Sequence, residues 1–306
     1  MTAHRLVVAP AAAGERLDRY LTALGTWGSR AQVQRLIAAG AVRVDDAVVK
    51  AGTLLRAGQA IAVATVAAPL APAGAAPEAI ALDIVHEDDW ILVINKPAGL
   101  VVHPAPGNWQ GTLVNALLHH WDGPRPGLDP ARPGIVHRLD KDTSGILVIA
   151  KDATTLADLG AQFRARTVAK QYVALVWGRL RQDRGTVAAP IGRHPVHRKR
   201  MAVQPRGREA VTAYEVVERL AGATLLRLFP RTGRTHQLRV HLAAIGHPII
   251  GDAVYGPGRP AALGRHALHA ERLTFRHPHT GAEVTFTAPL PADMAALRAT
   301  LRRTSA

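Results

Sequence analysis

The first fifth of the chain carries apolar residues at helical and then at strand spacing. Residues 17–24 repeat apolar side chains three and four positions apart and predict an amphipathic helix. Ser29, with Gln32 three positions later, forms a capping box, and a second predicted helix runs from there to Gly40. Residues 41–50 alternate around an Asp-Asp pair and predict a β-hairpin. Together these patterns predict a small α/β module.

After residue 80, strand patterns dominate and helical patterns fall between them unevenly. Apolar runs predict strands at residues 91–94, 100–102, 146–149, 173–176, 225–228 and 284–286. Helical spacing predicts helices at residues 111–121, 154–164, 235–245 and 291–301. Because strands and helices do not alternate strictly, the order indicates an α+β fold and not a doubly wound parallel sheet.

An Ala- and Pro-rich stretch separates these two parts. No charged residue stands between Arg56 and Glu78, but three prolines interrupt the apolar run, which therefore predicts a semi-stiff linker and no membrane span. We expect a module at residues 14–66, a linker at 67–79 and a larger domain at 80–302. The N-terminal residues do not resemble a signal peptide, so we expect the protein in the cytoplasm.

The balance of charged residues narrows the possible partners. The 306 residues include 38 Lys and Arg against 23 Asp and Glu, a formal charge of +15. Such an excess in a globular chain favours a polyanionic partner such as a nucleic acid. There is no cysteine, which excludes disulfides, cysteine-ligated metal centres and a thiolate nucleophile. Aromatic residues make up 4% of the chain, too few for base stacking to be the main binding mode.

Two stretches carry positive charge without any acid. Seven cations lie between Asp183 and Glu209, and five more lie between Glu218 and Asp252. A solvated face normally mixes both signs, so these runs favour contacts with RNA phosphates. With the basic residues of the N-terminal module they give the expected RNA-binding set: Arg16, Arg30, Arg35, Lys50, Arg193, Arg198, Lys199 and Arg200.

Residues 134–145, Gly-Ile-Val-His-Arg-Leu-Asp-Lys-Asp-Thr-Ser-Gly, allow three chemical interpretations. A calcium loop beginning at Asp140 would need a glutamate ligand where Lys151 stands, so this interpretation fails. An aspartyl-phosphate phosphatase stays open as the second choice, although His137 and Arg138 interrupt the buried strand that should precede its nucleophile. The third interpretation is an aspartate that acts on RNA without a metal or a cofactor.

Other catalytic machinery is missing from the sequence. There is no Walker A motif, no dinucleotide-binding glycine motif and no His-Glu-x-x-His. Pairs such as His194 with His197, or His266 with His269, lack a convincing third ligand, so we expect hydrogen-bonding or RNA-facing histidines and no metal site. Isomerisation or hydrolysis without a cofactor is therefore the economical hypothesis.

Several motifs in series resemble known families. Arg-Leu-Asp at 16–18, Ser-Arg at 29–30 and Val-Arg-Val at 42–44 are similar to the S4-type RNA-binding domain. After the linker the chain resembles the RluA family of pseudouridine synthases, and most of all the RluD type, which carries an N-terminal S4-like domain. The motifs of this resemblance are Ile-Asn-Lys-Pro at 94–97, Val-His-Pro at 102–104, His-Arg-Leu-Asp at 137–140, Thr-Ser-Gly at 143–145, Lys-Gln-Tyr at 170–172, Thr-Gly-Arg-Thr-His-Gln-Leu-Arg-Val-His at 232–241, Gly-His-Pro at 246–248 and Gly-Asp-Ala-Val-Tyr-Gly at 251–256.

The resemblance implies a mixed, mainly antiparallel catalytic sheet and the isomerisation of uridine to pseudouridine without a cofactor. Asp140 is then the catalytic carboxylate, which attacks the anomeric carbon of the sugar or abstracts a sugar proton. Its expected partner is Arg234, with Arg239 as second choice. Tyr172 is expected to stack on the target uracil, the alternative being a core tyrosine. Arg138 is expected to fill the space left by the extracted nucleotide, the alternative being a structural salt bridge.

The same resemblance implies the RNA substrate. It points to large-subunit (23S) ribosomal RNA or its precursor, at the loop of helix 69, modified by a monomeric enzyme. Other ribosomal sites, transfer RNA and a non-catalytic RNA-binding or assembly role are the alternatives. Thr143, Ser144 and Gly145 are expected to shape the turn that presents Asp140.

Overall fold

The chain folds into two compact units, Met1–Gly74 and Ala75–Ala306. A computed structural model describes residues 3–27, 30–64, 75–104, 108–197, 200–258 and 263–303. No helix in these ranges has the length and hydropathy needed to span a membrane.

The first unit packs two helices on one antiparallel sheet. Its elements are β1 (Ala3–Val7), α1 (Leu17–Ala23), α2 (Arg30–Ala38), β2 (Val42–Val44), β3 (Ala47–Val48) and β4 (Ala60–Ala64). The strand order is β1-β4-β2-β3. Leu17 and Leu21 of α1 are buried with Ile61 and Val63 of β4 in one apolar cluster, which forms the core of this unit.

The predicted hairpin of the first unit is confirmed. Asp45 and Asp46, between β2 and β3, have φ values of 49° and 62°. Two successive left-handed residues make the turn whose twist matches that of paired strands. Both helices are also present where the apolar spacing predicts them, whereas the capping residue Ser29 lies outside the described residues.

The second unit is built on one large sheet. Its elements are β5 (Ile84–Glu87), β6 (Ile91–Lys96), α3 (Leu113–His120), β7 (Ser144–Ala150), α4 (Ala153–Ala165), β8 (Ala169–Trp177), β9 (Arg184–Ala188), β10 (Ile191–Arg193), β11 (Met201–Val203), β12 (Val211–Leu220), β13 (Ala223–Pro230), α5 (Gln237–Ala244), β14 (Leu268–Arg276), β15 (Glu283–Thr287) and α6 (Ala292–Arg303). Among the described residues the sheet has nine strands in the order β5-β6-β7-β14-β8-β13-β12-β9, and β15 pairs with β14. Because one pairing, β7 with β14, is parallel and the others are antiparallel, the predicted mixed, mainly antiparallel α+β fold is confirmed.

Strand β14 lies between β7 and β8 and brings them together around the candidate site. Its Ala270 pairs with Gly145, which has a φ of 115°. A Cβ on Gly145 would stand 2.2 Å from the carbonyl oxygen of Ala270, so a glycine is required for this close approach.

The prediction of a strand at residues 100–102 is wrong. Val101 makes one isolated bridge to Thr112, and the carbonyls of Val101 and Val102 accept from the first N–H groups of α3, on Leu113 and Val114. The apolar run is a buried loop that caps a helix, and burial explains its composition.

Part of the predicted linker belongs to the second unit. Its residues 67–74 lie outside the described residues, whereas the carbonyl of Ala76 accepts from Nδ2 of Asn115 at 2.8 Å. The Glu78 carboxylate accepts from the N–H of Gly111 at 3.1 Å. Residues 76–78 are therefore fixed at the start of α3.

Candidate active site

Asp140 lies on the loop that enters β7, and a buried lysine holds that loop. Nζ of Lys96 donates to the carbonyl of Lys141 at 3.0 Å, as well as to those of Pro97 at 2.8 Å and Leu100 at 2.9 Å. Lys96 is fully buried, and burial lowers its pKa to about 8. The ammonium is thus still charged near neutral pH, and its three bonds tie residues 96–100 to the Asp140 loop.

The residues that follow Asp140 are held by two buried histidines. The Thr143 hydroxyl lies 2.8 Å from Nε2 of His266, and the Ser144 hydroxyl lies 2.9 Å from Nδ1 of His269. Burial, reinforced by nearby Arg239, lowers the pKa of His266 to about 4, so its ring is neutral. These contacts give both histidines a hydrogen-bonding role in shaping the turn. The described residues contain no group of three or more potential metal ligands.

Arg239, in the first turn of α5, is the arginine that contacts Asp140. Its Nη1 donates to Oδ2 of Asp140 at 3.2 Å. Its Nε and Nη2 bind both oxygens of the completely buried Asp252, at 2.7 and 2.9 Å, and its guanidinium lies 5.1 Å from the centre of the Tyr255 ring. Asp252 and Tyr255 therefore orient Arg239, whose Nη1 group remains available for Asp140.

The pairing expected for Arg234 is corrected by this geometry. Arg234 precedes α5, and its Nε donates to the carbonyl of Glu209 at 2.9 Å. Arg239 has its side chain 8% exposed and reaches Asp140 from within the helix, so the second choice is the one that makes the contact.

His236, to which the sequence assigned no role, stands on the other side of Asp140. Its Nε2 is 3.9 Å from Oδ1 of Asp140, and its Nδ1 is 2.9 Å from the Tyr255 hydroxyl. Asp252, Tyr255 and His236 all lie in the motifs at 232–241 and 251–256. Their place in these motifs is the sequence feature that could have marked them as site residues.

Asp140, His236 and Arg239 line a cleft of about 650 Å³ that also holds Arg138, Tyr172 and Arg234. Tyr172, on β8, lies in the wall of the cleft and packs against two clusters of the apolar core. This position is compatible with both predicted roles, a ring that stacks on the uracil and a tyrosine of the core. Burial, and then the charge of Asp140, raise the pKa of Tyr172. Arg138 is exposed at the cleft and makes no ion pair among the described residues.

The cleft is strongly positive. Asp140 is the only acid among the described residues that line it, and eight cations line it too: Arg138, Arg164, Arg166, Lys170, Arg208, Arg231, Arg234 and Arg239. A concave site of this charge attracts a polyanion and concentrates it around one carboxylate.

The basic residues predicted to bind RNA lie in different surroundings. Arg16 and Arg30 bind the buried carboxylate of Asp18 at 3.0 and 2.7 Å, and these bonds, with Arg16 first, lower the pKa of Asp18. Both arginines remain more than 40% exposed. Exposed positions are found for Lys50, Arg193 and Arg200, whereas Arg198, Lys199 and the side chain of Arg35 lie outside the described residues.

Two known families match parts of this chain. The model of a family described as RNA pseudouridylate synthase matches residues 90–244, and that of the S4 domain matches residues 15–61. The chain therefore belongs to the RNA pseudouridylate synthase family, and it is an isomerase that carries an S4 domain.

Individual relatives and structures support the same conclusion. Ribosomal large subunit pseudouridine synthase D of Nitrosomonas europaea is 48% identical over 95% of this chain and 85% of its own length. An uncharacterized RNA pseudouridine synthase of Bacillus subtilis is 45% identical over 94% of this chain and 95% of its own. The structure of human RNA pseudouridylate synthase domain containing 1 aligns with a TM-score of 0.57 and 31% identity, covering 69% of this chain and 84% of that one. The resemblance found in the sequence is confirmed.

Proposed function

We propose that this enzyme isomerises uridines of large-subunit (23S) ribosomal RNA, at the loop of helix 69, with Asp140 as the catalytic carboxylate and without a cofactor. The target is supported by relatives named ribosomal large subunit pseudouridine synthase D, which are 43–48% identical over most of this chain. The observation that carries the catalytic assignment is a single carboxylate, bound by Arg239, in a cleft where the eight Lys and Arg side chains are the other charged groups among the described lining residues.

The chemistry needs no added atoms. The bond from the sugar C1′ to the base N1 breaks, the base turns, and C1′ bonds to C5, whose hydrogen is lost while N1 gains one. Asp140 either attacks C1′ or removes a sugar proton, and both steps require the ionised carboxylate. The Arg239 guanidinium at 3.2 Å stabilises that charge at Oδ2 and leaves Oδ1 available to react.

The cleft fits one extruded nucleotide. Its volume of about 650 Å³ lies within the range of about 300 to 1,000 Å³ typical of pockets that enclose a small ligand. A uridine inside a stacked helix cannot present its glycosidic bond, so it must turn out of the stack. Tyr172 offers a ring face for the uracil, and the exposed Arg138 is placed to fill the space left in the RNA.

A single substitution tests the catalytic assignment. Asp140→Asn keeps the side-chain volume and removes the charge, so we expect an unchanged melting temperature and RNA affinity but no pseudouridine. Asp142→Asn, two residues further on the same loop, is the matched control and should stay active. Activity of Asp140→Asn above background would refute the assignment.

The RNA target requires mapping in cells. In a strain lacking the gene, we expect carbodiimide-reactive pseudouridines to disappear from the helix 69 loop of 23S RNA and to return with the wild-type gene but not with Asp140→Asn. If pseudouridines were lost instead at another ribosomal site or in transfer RNA, that site would be the target in place of helix 69.

The N-terminal module, proposed at residues 14–66, should contribute affinity. Deleting residues 1–66 is expected to weaken binding to structured RNA more than it lowers the rate at saturating RNA. Unchanged affinity would contradict this role. Sedimentation of the full chain tests whether the enzyme is a monomer.

A further inference from the structure

His236 is held in a strained backbone conformation that its helix does not need. Its φ and ψ are 56° and 21°, in the left-handed region, and its side chain makes no capping bond to α5. Gln237 orders this turn, because its Oε1 accepts from the Arg234 N–H at 3.0 Å and from the Thr232 hydroxyl at 2.7 Å. Strain that is kept beside a cleft, and that local structure does not require, directs attention to a function of the side chain.

The Tyr255 hydroxyl decides which ring nitrogen of His236 carries the hydrogen. This oxygen accepts the N–H of Met201 at 2.9 Å and lies 2.9 Å from Nδ1 of His236. If Nδ1 carried the hydrogen, the hydroxyl would accept twice and its own hydrogen would lack a partner here. With Nδ1 as acceptor the hydroxyl both donates to His236 and accepts from Met201, and the neutral ring then carries its hydrogen on Nε2.

The surroundings of the ring favour its neutral form. Burial lowers the pKa of His236, and the charges of Arg239 and Arg138 act in the same direction. Asp140 and Asp252 oppose them, but the net direction is downward. Near neutral pH the imidazole therefore has one N–H, and the Nε2 position faces Oδ1 of Asp140 at 3.9 Å.

We propose that His236 is a positioning residue whose Nε2–H donates to Oδ1 of Asp140 once a uridine occupies the cleft. This inference rests on the proposed catalytic function of Asp140. Arg239 holds Oδ2, so Oδ1 is the reacting oxygen, and a second donor fixes its direction toward the sugar. The present separation exceeds a hydrogen bond by about 1 Å, and catalytic hydrogen bonds commonly tighten in the substrate complex.

The tautomer can be read directly by NMR of the full-length protein labelled with ¹⁵N-histidine. His236→Asn identifies the signal, because asparagine tolerates the left-handed backbone. We expect the Nε2–H form in the wild type and a mixture of tautomers in Tyr255→Phe. A dominant Nδ1–H form in the wild type would overturn the proposal.

Kinetics separate positioning from a structural role. Glutamine can place an amide N–H near Nε2, whereas asparagine is too short, so we expect His236→Asn to lower kcat about tenfold or more at unchanged KM, and His236→Gln to restore part of it. His279→Asn, an exposed histidine that packs on Trp90, is the control and should match the wild type. Equal losses in both His236 variants, or a change confined to KM, would contradict the proposal. Activity of Asp140→Asn would refute the proposed function instead, and the NMR result would remain independent of it.

Discussion

Replacing Asp252 by asparagine tests how Arg239 is oriented toward Asp140. Oδ1 of Asp252 accepts from Nη2 of Arg239 and from the N–H groups of Val254 and Tyr255. In the variant, the asparagine oxygen must therefore take the position of Oδ1. The asparagine NH₂ group then replaces Oδ2, which in the wild type lies 2.7 Å from Nε of Arg239. Two donors then face each other in a buried site, and we expect Arg239 to move away from Asp140.

The size of the effect follows from the bonds that are lost. A hydrogen bond between charged groups contributes about 1.5 to 3 kcal/mol, and removing one partner of a buried pair costs about 3 to 5 kcal/mol. Asp140 still offers Arg239 a partner, so we expect a loss of about 3 kcal/mol in the free energy of unfolding. For a unit of this size that lowers the melting temperature by roughly 6 to 12 °C. Displacing the donor from Asp140 should reduce kcat about 10- to 100-fold.

The chain offers a matched control for this experiment. Arg265 binds Asp293 with the same fork, at 2.7 and 2.9 Å, but the Asp293 side chain is 42% exposed. Asp293→Asn should cost less than about 1 kcal/mol and leave kcat unchanged. The assays are thermal unfolding and release of tritium from C5-labelled uridine in RNA at 25 °C. If Asp252→Asn behaved like Asp293→Asn in both assays, the orientation of Arg239 by Asp252 would be refuted.

Two further predictions concern stability. Gly145→Ala should lower the free energy of unfolding by more than about 3 kcal/mol in urea titrations, because its Cβ would stand 2.2 Å from the Ala270 carbonyl oxygen and force β7 from β14. Burial would raise the pKa of Asp88, but hydrogen bonds, beginning with the Ile91 N–H, hold it at about 2. Ionised Asp88 therefore stabilises the fold above pH 4, by about 2 kcal/mol, and this contribution is lost as the pH falls toward 2.

Each stability prediction has a control within the chain. Gly281 has a φ of 71° and nothing within 4 Å of an added Cβ, so Gly281→Ala should cost only about 1 kcal/mol. Similar losses for both glycines would contradict the close approach. For Asp88→Asn, the difference from wild type should shrink between pH 4 and pH 2, whereas that of the exposed Asp89→Asn should be small throughout. A constant difference for Asp88→Asn would contradict the lowered pKa.

The sequence was most informative where one physical requirement dominated. The runs at 91–94, 146–149 and 173–176 are buried on both faces and wholly apolar, and the run at 225–228 is broken only by the exposed Arg227. Strands β6, β7, β8 and β13 are found at these predicted places. Strand β14 was missed because His269, Glu271 and Arg272 interrupt its apolar residues. His269 is polar because it anchors Ser144, so the chemistry near the site concealed the strand.

The choice between two arginines shows what a linear motif leaves open. Arg234 and Arg239 stand five positions apart in one motif, and both line the cleft. The start of α5 at Gln237 decides which one faces Asp140, because it places Arg239 in the first turn of the helix. Grouping Asp140, Tyr172 and the two arginines in one cleft came from the family resemblance, since they are far apart in the sequence.

The position of β14 has a consequence for synthesis on the ribosome. Strands β7 and β8 are made early, yet the place between them in the sheet is filled by a strand that begins at Leu268. The S4 module encloses its own core within the first 64 residues and can fold as soon as it emerges. We therefore expect a nascent chain to acquire an RNA-binding module long before it acquires a cleft. Pulse proteolysis of stalled chains would detect this order, and a protease-resistant catalytic domain before β14 has emerged would contradict it.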